Sequence, residues 1–487
     1  MKKIGLFVFV FFYCYYIFAT EKRNKPNVIL IFMDDLGYGD LTSYGALGYK
    51  MPNLDILAKE GMRFTDLLAG QAVSSASRAA LMTGCYPNRI GFYGALSPFT
   101  EYGLHSDEET IAELLKYENY ATAIVGKWHL GHQEEFLPHN HGFDTFFGLP
   151  YSNDMWTVGY DGKPIKPAAG RKSVPPLPLL ESKRGSHQID TTMIVANLED
   201  QAKLTTLYTE QAVKFIKSNT NNPFFLYFAH SMPHVPLGVS NKFKGQSEQG
   251  LYGDVMMEVD WSVGEIMKTL KAQNIDDNTL VIFLSDNGPW INFGNHAGNT
   301  GGLREAKGCN FEGGIRVPCI VRWPHKIEAG SISNKLSSSI DILPTICEIV
   351  GAPLPKQKID GVDISSILFG KDETPRTEFY YYYKKNDLEA VRKGSWKLVF
   401  PHKHRSYEDV LPKNDGFRGA YKVGEVTELC LYDLRRDPGE RYNVAAMYPE
   451  IIKELQEIAE KAREDLGDNL TKRQGKNRRA HGELTRE

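Results

Sequence analysis

Unbroken apolar runs recur along the chain, and most of them stop abruptly at a polar cluster. The clearest lie at residues 28–33 (VILIFM), 121–125 (ATAIV), 224–228 (FFLYF), 280–284 (LVIFL) and 317–321 (VPCIV). A strand that is apolar on every residue must be covered on both faces, which is the condition of a parallel sheet packed between helices. Helix-like segments separate these runs, at 53–61, 77–83, 109–118, 206–218 and 253–273. The alternation predicts an α/β fold with a large, mostly parallel sheet flanked by helices.

The pattern changes between 351 and 378, where Pro353, Pro355, Gly361, Gly370 and Pro375 punctuate a linker-like stretch. Beyond it come short strand signals at 379–383, 396–400 and 430–434, then a helix at 448–466. This reads as a small C-terminal domain with an antiparallel sheet and a terminal helix. The expected organisation is a large N-terminal domain over 24–370, a C-terminal subdomain over 375–467 and a disordered tail over 468–487, which is charged and poor in apolar groups. The stretch 159–185, rich in Pro, Lys and Gly, reads as a long surface excursion.

Residues 1–20 open with Lys2 and Lys3 and continue as an uncharged apolar run from 4 to 19. Sixteen residues fall just short of a bilayer helix, and the position is that of a secretory h-region. A signal peptide is expected; an uncleaved anchor and a lipoprotein built on Cys14 are the other readings. The protein is then exported, to the periplasm or else to the outer surface or medium, with no stable membrane span once the signal is removed. The remaining cysteines, Cys85, Cys309, Cys319, Cys347 and Cys430, are odd in number and without close spacing. They fit neither a disulfide framework nor a zinc site, but do fit small buried groups. Basic and acidic side chains nearly balance, 57 against 60, which excludes the strongly basic surface of a nucleic-acid binder.

Four of the five strongest runs lead directly into chemistry-bearing residues. The first ends in Asp34-Asp35, the fourth in Ser285-Asp286-Asn287, the second in Gly126-Lys127-Trp128-His129 and the third in Ala229-His230-Ser231-Met232-Pro233-His234. Ligands of open α/β sheets bind just outside the carboxyl ends of the strands. If the four strands lie side by side and parallel, the clusters converge on one rim. The Asp and Asn side chains then offer hard oxygen ligands for Ca²⁺ or Mg²⁺, and the Lys and His side chains offer anion donors and proton-transfer groups. Taken singly, each cluster is more often a turn or a loop histidine than a ligand. The string Ser74-Ser75-Ala76-Ser77-Arg78 leads a further helix ending at Gly84, which reads either as a serine-capped helix or as a positive helix end facing an anion.

That string, SSASRAALMTG, resembles the signature of type I sulfatases: Cys or Ser, any residue, Pro or Ala, Ser and Arg, then Thr-Gly. The blocks PNVILIFMDDLGYGD, MPNLDILAKEGMRFTD, YATAIVGKWHLG, NHGFDTFFGLPYSNDM, SMPHVP, LVIFLSDNGP, FEGGIRVP, IDILPTICEIVGAP and LYDLRRDPGE follow in the family's order, over roughly residues 27 to 450. The nearest group is that of arylsulfatase A and N-acetylgalactosamine-6-sulfatase. The resemblance implies an alkaline-phosphatase-like α/β fold and a sulfuric ester hydrolase. It implies that a maturation enzyme oxidises Ser74 to formylglycine, and that Asp34, Asp35, Asp286 and Asn287 bind one divalent cation, Ca²⁺ or else Mg²⁺, which also contacts position 74. Arg78 would steady the formylglycine, Lys127 and Lys307 would bind sulfate, His129 would help decompose the covalent intermediate, and His234 would protonate the leaving alcohol. Ser152 and Asp154 match positions near the sulfate.

Three departures stand out. Serine replaces cysteine at position 74, so the implied maturation is the bacterial route that accepts serine. Ala76 replaces proline, and Cys85 stands where the family commonly has arginine. A sulfated carbohydrate is the expected substrate, with exo action on a galactose or N-acetylgalactosamine sulfate of a host or marine glycan. His402, His404 and Arg405 are candidates for the sugar pocket, though the same residues read equally as an exposed basic turn. A phosphatase or phosphonate hydrolase of the same superfamily, and a non-catalytic glycan-binding paralogue, are the alternative functions.

Overall fold

The computed structural model describes residues 25–160, 162–165, 173–182, 185 and 188–484; the expected signal peptide lies outside the described residues. Five strands form a parallel block at the centre of the large sheet. In spatial order these are Thr279–Ser285, Asn27–Met33, Phe224–Ala229, Ala121–Gly126 and Thr145–Gly148. In chain order they are β1 (Asn27–Met33), β2 (Ala121–Gly126), β3 (Thr145–Gly148), β4 (Phe224–Ala229) and β5 (Thr279–Ser285). The strand Arg316–Arg322 runs antiparallel beside β5 and carries Met62–Leu68 on its far side. Antiparallel strands Leu177–Ser182 and Ile189–Val195 extend the other edge past β3.

Every residue of β1, β2, β4 and β5 is buried, as their unbroken apolar runs require. Alternate residues serve opposite layers. Ile29, Ile31, Leu226, Phe228, Val281 and Phe283 meet the helices Leu204–Ser218 and Leu251–Ala272 on one face. Val28, Leu30, Phe32, Phe225, Tyr227 and Ile282 face the other layer, which holds helices α1 (Ser74–Thr83) and α2 (Ile342–Val350).

The C-terminal domain is an antiparallel sheet of Glu378–Tyr383, Asp387–Lys393, Trp396–Val399 and Cys430–Asp433, covered by α3 (Pro449–Leu466). Leu455, Ile458, Ala459, Ala462 and Leu466 form the buried stripe of α3 at helical spacing. Its second strand, DLEAVRK, gives no strand signal because Leu, Glu, Ala, Arg and Lys all favour helix; pairing on both edges overrides that preference. The two domains share a buried ionic junction. Glu312 accepts from Lys397 (3.0 Å) and pairs with Arg316 (2.6 Å), while Lys397 also pairs with Glu440 (2.8 Å). Despite burial, these cations hold the Glu312 carboxyl well below its usual range.

Three expectations need correction. The segment after 467 is ordered through Leu484, not frayed: Gly482–Glu483 pairs with Tyr102–Gly103, and Arg479 forks onto Glu108 (2.6 and 2.8 Å). Arg473, Lys476, Arg478 and Arg479 all have protein partners. The stretch 159–185 is not all surface, because its end is the sheet strand Leu177–Ser182, whose Leu177, Leu179 and Leu180 are buried. Residues 402–405 are not an exposed turn. They open the strand His402–Ser406, which pairs with Lys422–Thr427 and turns both histidines inward, at 6 % and 7 % exposure.

Candidate active site

The four polar clusters do converge, because β5, β1, β4 and β2 are neighbours in register. Met33 pairs with Ser285, Phe32 with Ala229, and Ala229 with Gly126. Helix α1 enters from the adjacent layer and begins at Ser74. Ser74 is the first helical residue rather than the cap expected from its type. Val73 occupies the cap position with no side-chain bond, and the Ser74 hydroxyl instead donates to Asp34 Oδ1 at 3.0 Å. Gly84, in the left-handed region at φ 68°, closes the helix by donating to the Ala80 carbonyl.

Asp34 is buried completely. Lys127 Nζ donates to its second oxygen at 2.6 Å and to Ser152 Oγ at 3.1 Å. Arg78 Nη2 lies 2.9 Å from Asp286 Oδ2 and 3.6 Å from Asp34 Oδ1, while Nη1 donates to the Lys127 carbonyl at 3.3 Å. Phe32 lies under the guanidinium, 5.2 Å from ring centroid to Cζ. Asp35 sits at φ 62° and collects a second set of partners: Lys307 at 2.7 Å, the Asn287 amide at 2.7 Å and His234 Nε2 at 3.5 Å. Asp286 Oδ1 accepts from the Asp35 backbone N–H at 3.1 Å.

These contacts set the ionisation. Burial opposes charge on Asp34, but Lys127, His234, Arg78 and Lys307 together hold its carboxyl well below the usual range. Burial and the neighbouring Asp34 push Asp286 up to about 7. Burial lowers the Lys127 ammonium despite Asp34, whereas Asp35 raises Lys307 against its own burial. Burial and then Lys127 hold His129 well below its ordinary value, so it is neutral. His129 Nε2 lies 2.8 Å from the Leu96 carbonyl, and its Nδ1 is buried without a partner. With Nε2 donating, the free lone pair is on Nδ1. His234 is oriented the other way, Nδ1 donating to the Val235 carbonyl at 2.5 Å and Nε2 facing Asp35.

The donor set fits a hard divalent cation. Oxygens of Asp34 and Asp35 and a nitrogen of His234 all lie within 4.8 Å of one another, Asp286 is close enough to repel both carboxylates, and Asn287 Oδ1 is buried without a partner. Mutually repelling carboxylates with an orphaned amide oxygen are what Ca²⁺ or Mg²⁺ satisfies.

The structure adds groups that the sequence did not reveal. The Tyr227 hydroxyl lies 3.5 Å from Arg78, and the Tyr160 hydroxyl donates to Asp154 Oδ2 at 3.1 Å. Trp290 stands between His234 (5.7 Å between rings) and Lys307, whose Nζ is 4.8 Å from its centroid. A strand tyrosine looks like core, but Trp290 follows Asn287-Gly288-Pro289 so closely that proximity could have flagged it. Of the proposed sugar residues, only Arg405 reaches this region: its guanidinium lies where a Cβ on Gly308, next to Lys307, would stand, 2.7 Å away. His402 is instead buried beside Glu389 (3.5 Å), and His404 packs on Phe311 (5.1 Å).

A parallel α/β sheet whose strand ends gather oxygen ligands, cations and two oppositely oriented histidines has the equipment of a hydrolase for anionic esters. The chain belongs to the sulfatase family: residues 26–352 match Sulfatase and residues 375–481 match the C-terminal region of aryl-sulfatase. It is 38 % identical over 450 residues to arylsulfatase A of Bos taurus, covering 88 % of this chain and 85 % of that protein. It is 36 % identical over 460 residues to N-acetylgalactosamine-6-sulfatase of Canis lupus familiaris, covering 90 % and 85 %. Among solved structures, a Bacteroides thetaiotaomicron protein described with the metabolism of multiple glycosaminoglycans superposes with a TM-score of 0.75 at 32 % identity, covering 90 % of this chain and 99 % of that one. The chain is a sulfuric ester hydrolase. Among the described residues, no helix is long and apolar enough to cross a membrane.

Proposed function

We propose that this sulfatase acts on a sulfated sugar, galactose or N-acetylgalactosamine sulfate, as an exo-acting enzyme of the periplasm, using a formylglycine made from Ser74 by a maturation enzyme and one divalent cation, Ca²⁺. The observation that carries the reading is the shared Asp34 carboxylate, with the position-74 hydroxyl on one oxygen and Lys127 on the other. Its relationship to an N-acetylgalactosamine-6-sulfatase supports the sugar class. The division into domains over 24–370 and from 375 onward rests on the linker-like composition between them.

Asp34, Asp35, Asp286 and Asn287 would hold the cation, which when bound offsets charge on the sulfuryl oxygens and on the nucleophile. The hydrated aldehyde at position 74 supplies the nucleophilic hydroxyl. Lys127, Lys307 and Ser152 bind the sulfuryl oxygens, and Arg78 steadies position 74 through its bridge to Asp286. His234, whose Nε2 faces Asp35, gives its proton to the leaving alcohol. His129, neutral and with a free Nδ1, takes the proton of the second hydroxyl as the carbon–oxygen bond to sulfate breaks, which releases sulfate and restores the aldehyde. Asp154, which accepts from the Tyr160 hydroxyl and hydrogen-bonds Ser152, would stand near the bound sulfate.

The test is mass spectrometry of the tryptic peptide spanning 64–78 from the native host, together with sulfate release from a panel of sulfated monosaccharides. A peptide lighter by two hydrogens and preferential release from galactose or N-acetylgalactosamine sulfates are expected. Unmodified serine in an active preparation overturns the mechanism, and preference for another sugar overturns the substrate.

A further inference from the structure

Beyond the sulfate-binding lysines, two further cations lie next to the site, held on aromatic rings. Arg418 Cζ lies 5.0 Å from the centroid of Trp290, the ring that Lys307 and His234 also touch. It lies 5.4 Å from the centroid of Tyr421, and its guanidinium donates to the hydroxyl of that ring at 3.2 Å. Arg405 Cζ stands 4.8 Å from the same Tyr421 ring, and its guanidinium rests on Gly308, the residue after Lys307. Two rings thus link Lys307, Arg418 and Arg405 into one cationic shelf.

The charges on that shelf are unequal in what they have to do. Lys307 is neutralised by Asp35 at 2.7 Å. The acids nearby in the chain are engaged elsewhere: Glu305 accepts from Ser406 and Tyr407, Glu408 pairs with Arg304, Asp409 with Lys422, and Asp415 accepts from the Asn295 backbone. Among the described residues, neither Arg405 nor Arg418 is ion-paired. Arg418 is exposed, and Arg405 is half-buried with one side-chain hydrogen bond to Tyr407. A guanidinium laid on an aromatic face keeps its donor edge free and loses little freedom on binding an anion. Such a fork takes a carboxylate or a sulfate in bidentate fashion.

We propose that Arg418 and Arg405, seated on Trp290 and Tyr421, form a second anion subsite that binds a further negative group of the substrate, a carboxylate or a second sulfate, beside the sulfate being removed. This rests on the proposed sugar sulfatase reading and deepens it: the enzyme selects multiply anionic glycans over singly sulfated neutral ones.

The experiment compares kcat/KM of the matured enzyme and its Arg418→Ala and Arg418→Lys variants on three sets of substrate. These are nitrophenyl sulfate, a hexosamine disulfate with its two monosulfates, and a sulfated uronate disaccharide with its carboxyl-reduced form. Arg418 is exposed, so its replacement leaves the core intact. The wild type is expected to favour the doubly anionic substrates. Arg418→Ala is expected to lose about tenfold more on them than on nitrophenyl sulfate, mainly in KM, the size of one charge-assisted hydrogen bond. Arg418→Lys should recover part of the loss, and added salt should narrow the wild-type preference. A preference confined to the disulfate identifies a second sulfate as the ligand; one confined to the uronate identifies a carboxylate. Equal losses on all substrates, or a wild type that turns over nitrophenyl sulfate without preferring a second anion, overturn the subsite alone. Failure of the wild type to release sulfate from any ester overturns the underlying reading and the subsite with it.

Discussion

Asp34 holds a hydroxyl on one oxygen and an ammonium on the other, with no surface exposed to water. Charges this deep persist only when paired, and removing one partner leaves the other stranded. Lys127→Met should therefore lower kcat by about 10²–10³-fold, the usual effect of deleting one oxyanion donor, and also destabilise the fold by about 3 kcal/mol. Sulfate release and urea unfolding of the same preparation check both. Chelation should abolish turnover and Ca²⁺ should restore it, measured by sulfate release before and after EDTA dialysis. A different buried acid gives a pH signature away from the site. Burial pushes the Glu389 carboxyl from its usual 4.5 up to about 8, with Lys384 and Asn310 only partly offsetting it. Across that interval the unfolded chain releases a proton that the folded one keeps, so stability falls as pH rises from about 4.5 to about 8 and then levels off. Glu389→Gln should flatten this fall, gaining a few kcal/mol at pH about 8.5 relative to about 5. Denaturant midpoints at the two pH values measure it. Asp34, Lys127, His129 and Asp286 are legible in the sequence because each stands just past the end of a buried strand. Tyr227 and Arg418 are not, because an aromatic within a strand looks like core and a lone loop arginine looks solvated.

At the scale of elements, the site depends on how closely β2 and β4 approach. Gly126 ends β2 at φ 116°, and a Cβ there would stand 1.8 Å from the Ala229 carbonyl oxygen of β4. Both the conformation and the contact exclude a side chain. Gly126→Ala should cost more than about 3 kcal/mol and displace Lys127 and His129, seen as lower soluble yield and a lower melting temperature. Four strands of the central block, β1, β2, β4 and β5, are readable to within a residue or two, since continuous burial leaves a continuous apolar signal; the four-residue β3, whose first residue is only partly buried, is too short to show one. Asp387–Lys393 escapes a sequence reading because its strand character comes from its two neighbours and not from its residues. The histidines at 402 and 404 look like an exposed turn because a strand that buries alternate polar residues carries no apolar period to betray it.

At the scale of the molecule, the end of the described chain buttresses the catalytic domain. Gly482–Glu483 pairs with Tyr102–Gly103, His481 lies on Tyr102 (4.2 Å between rings), and Leu104 donates to the Leu130 carbonyl at 2.8 Å, one residue past His129. Deleting residues 475–487 should lower the melting temperature by about 5 °C and slow turnover, through lost support for the loop whose Leu96 carbonyl holds His129. Calorimetry and sulfate release on the truncated chain test this. Composition hides the arrangement, because a charged segment reads the same whether its partners are water or protein. The burial of α1 has a last consequence, one of timing. Ser74 is 2 % exposed at the head of a helix on which every residue is buried, so an enzyme that oxidises it cannot reach it in the finished fold. The formylglycine proposed above would therefore have to form in the interval before the sheet and its helix close.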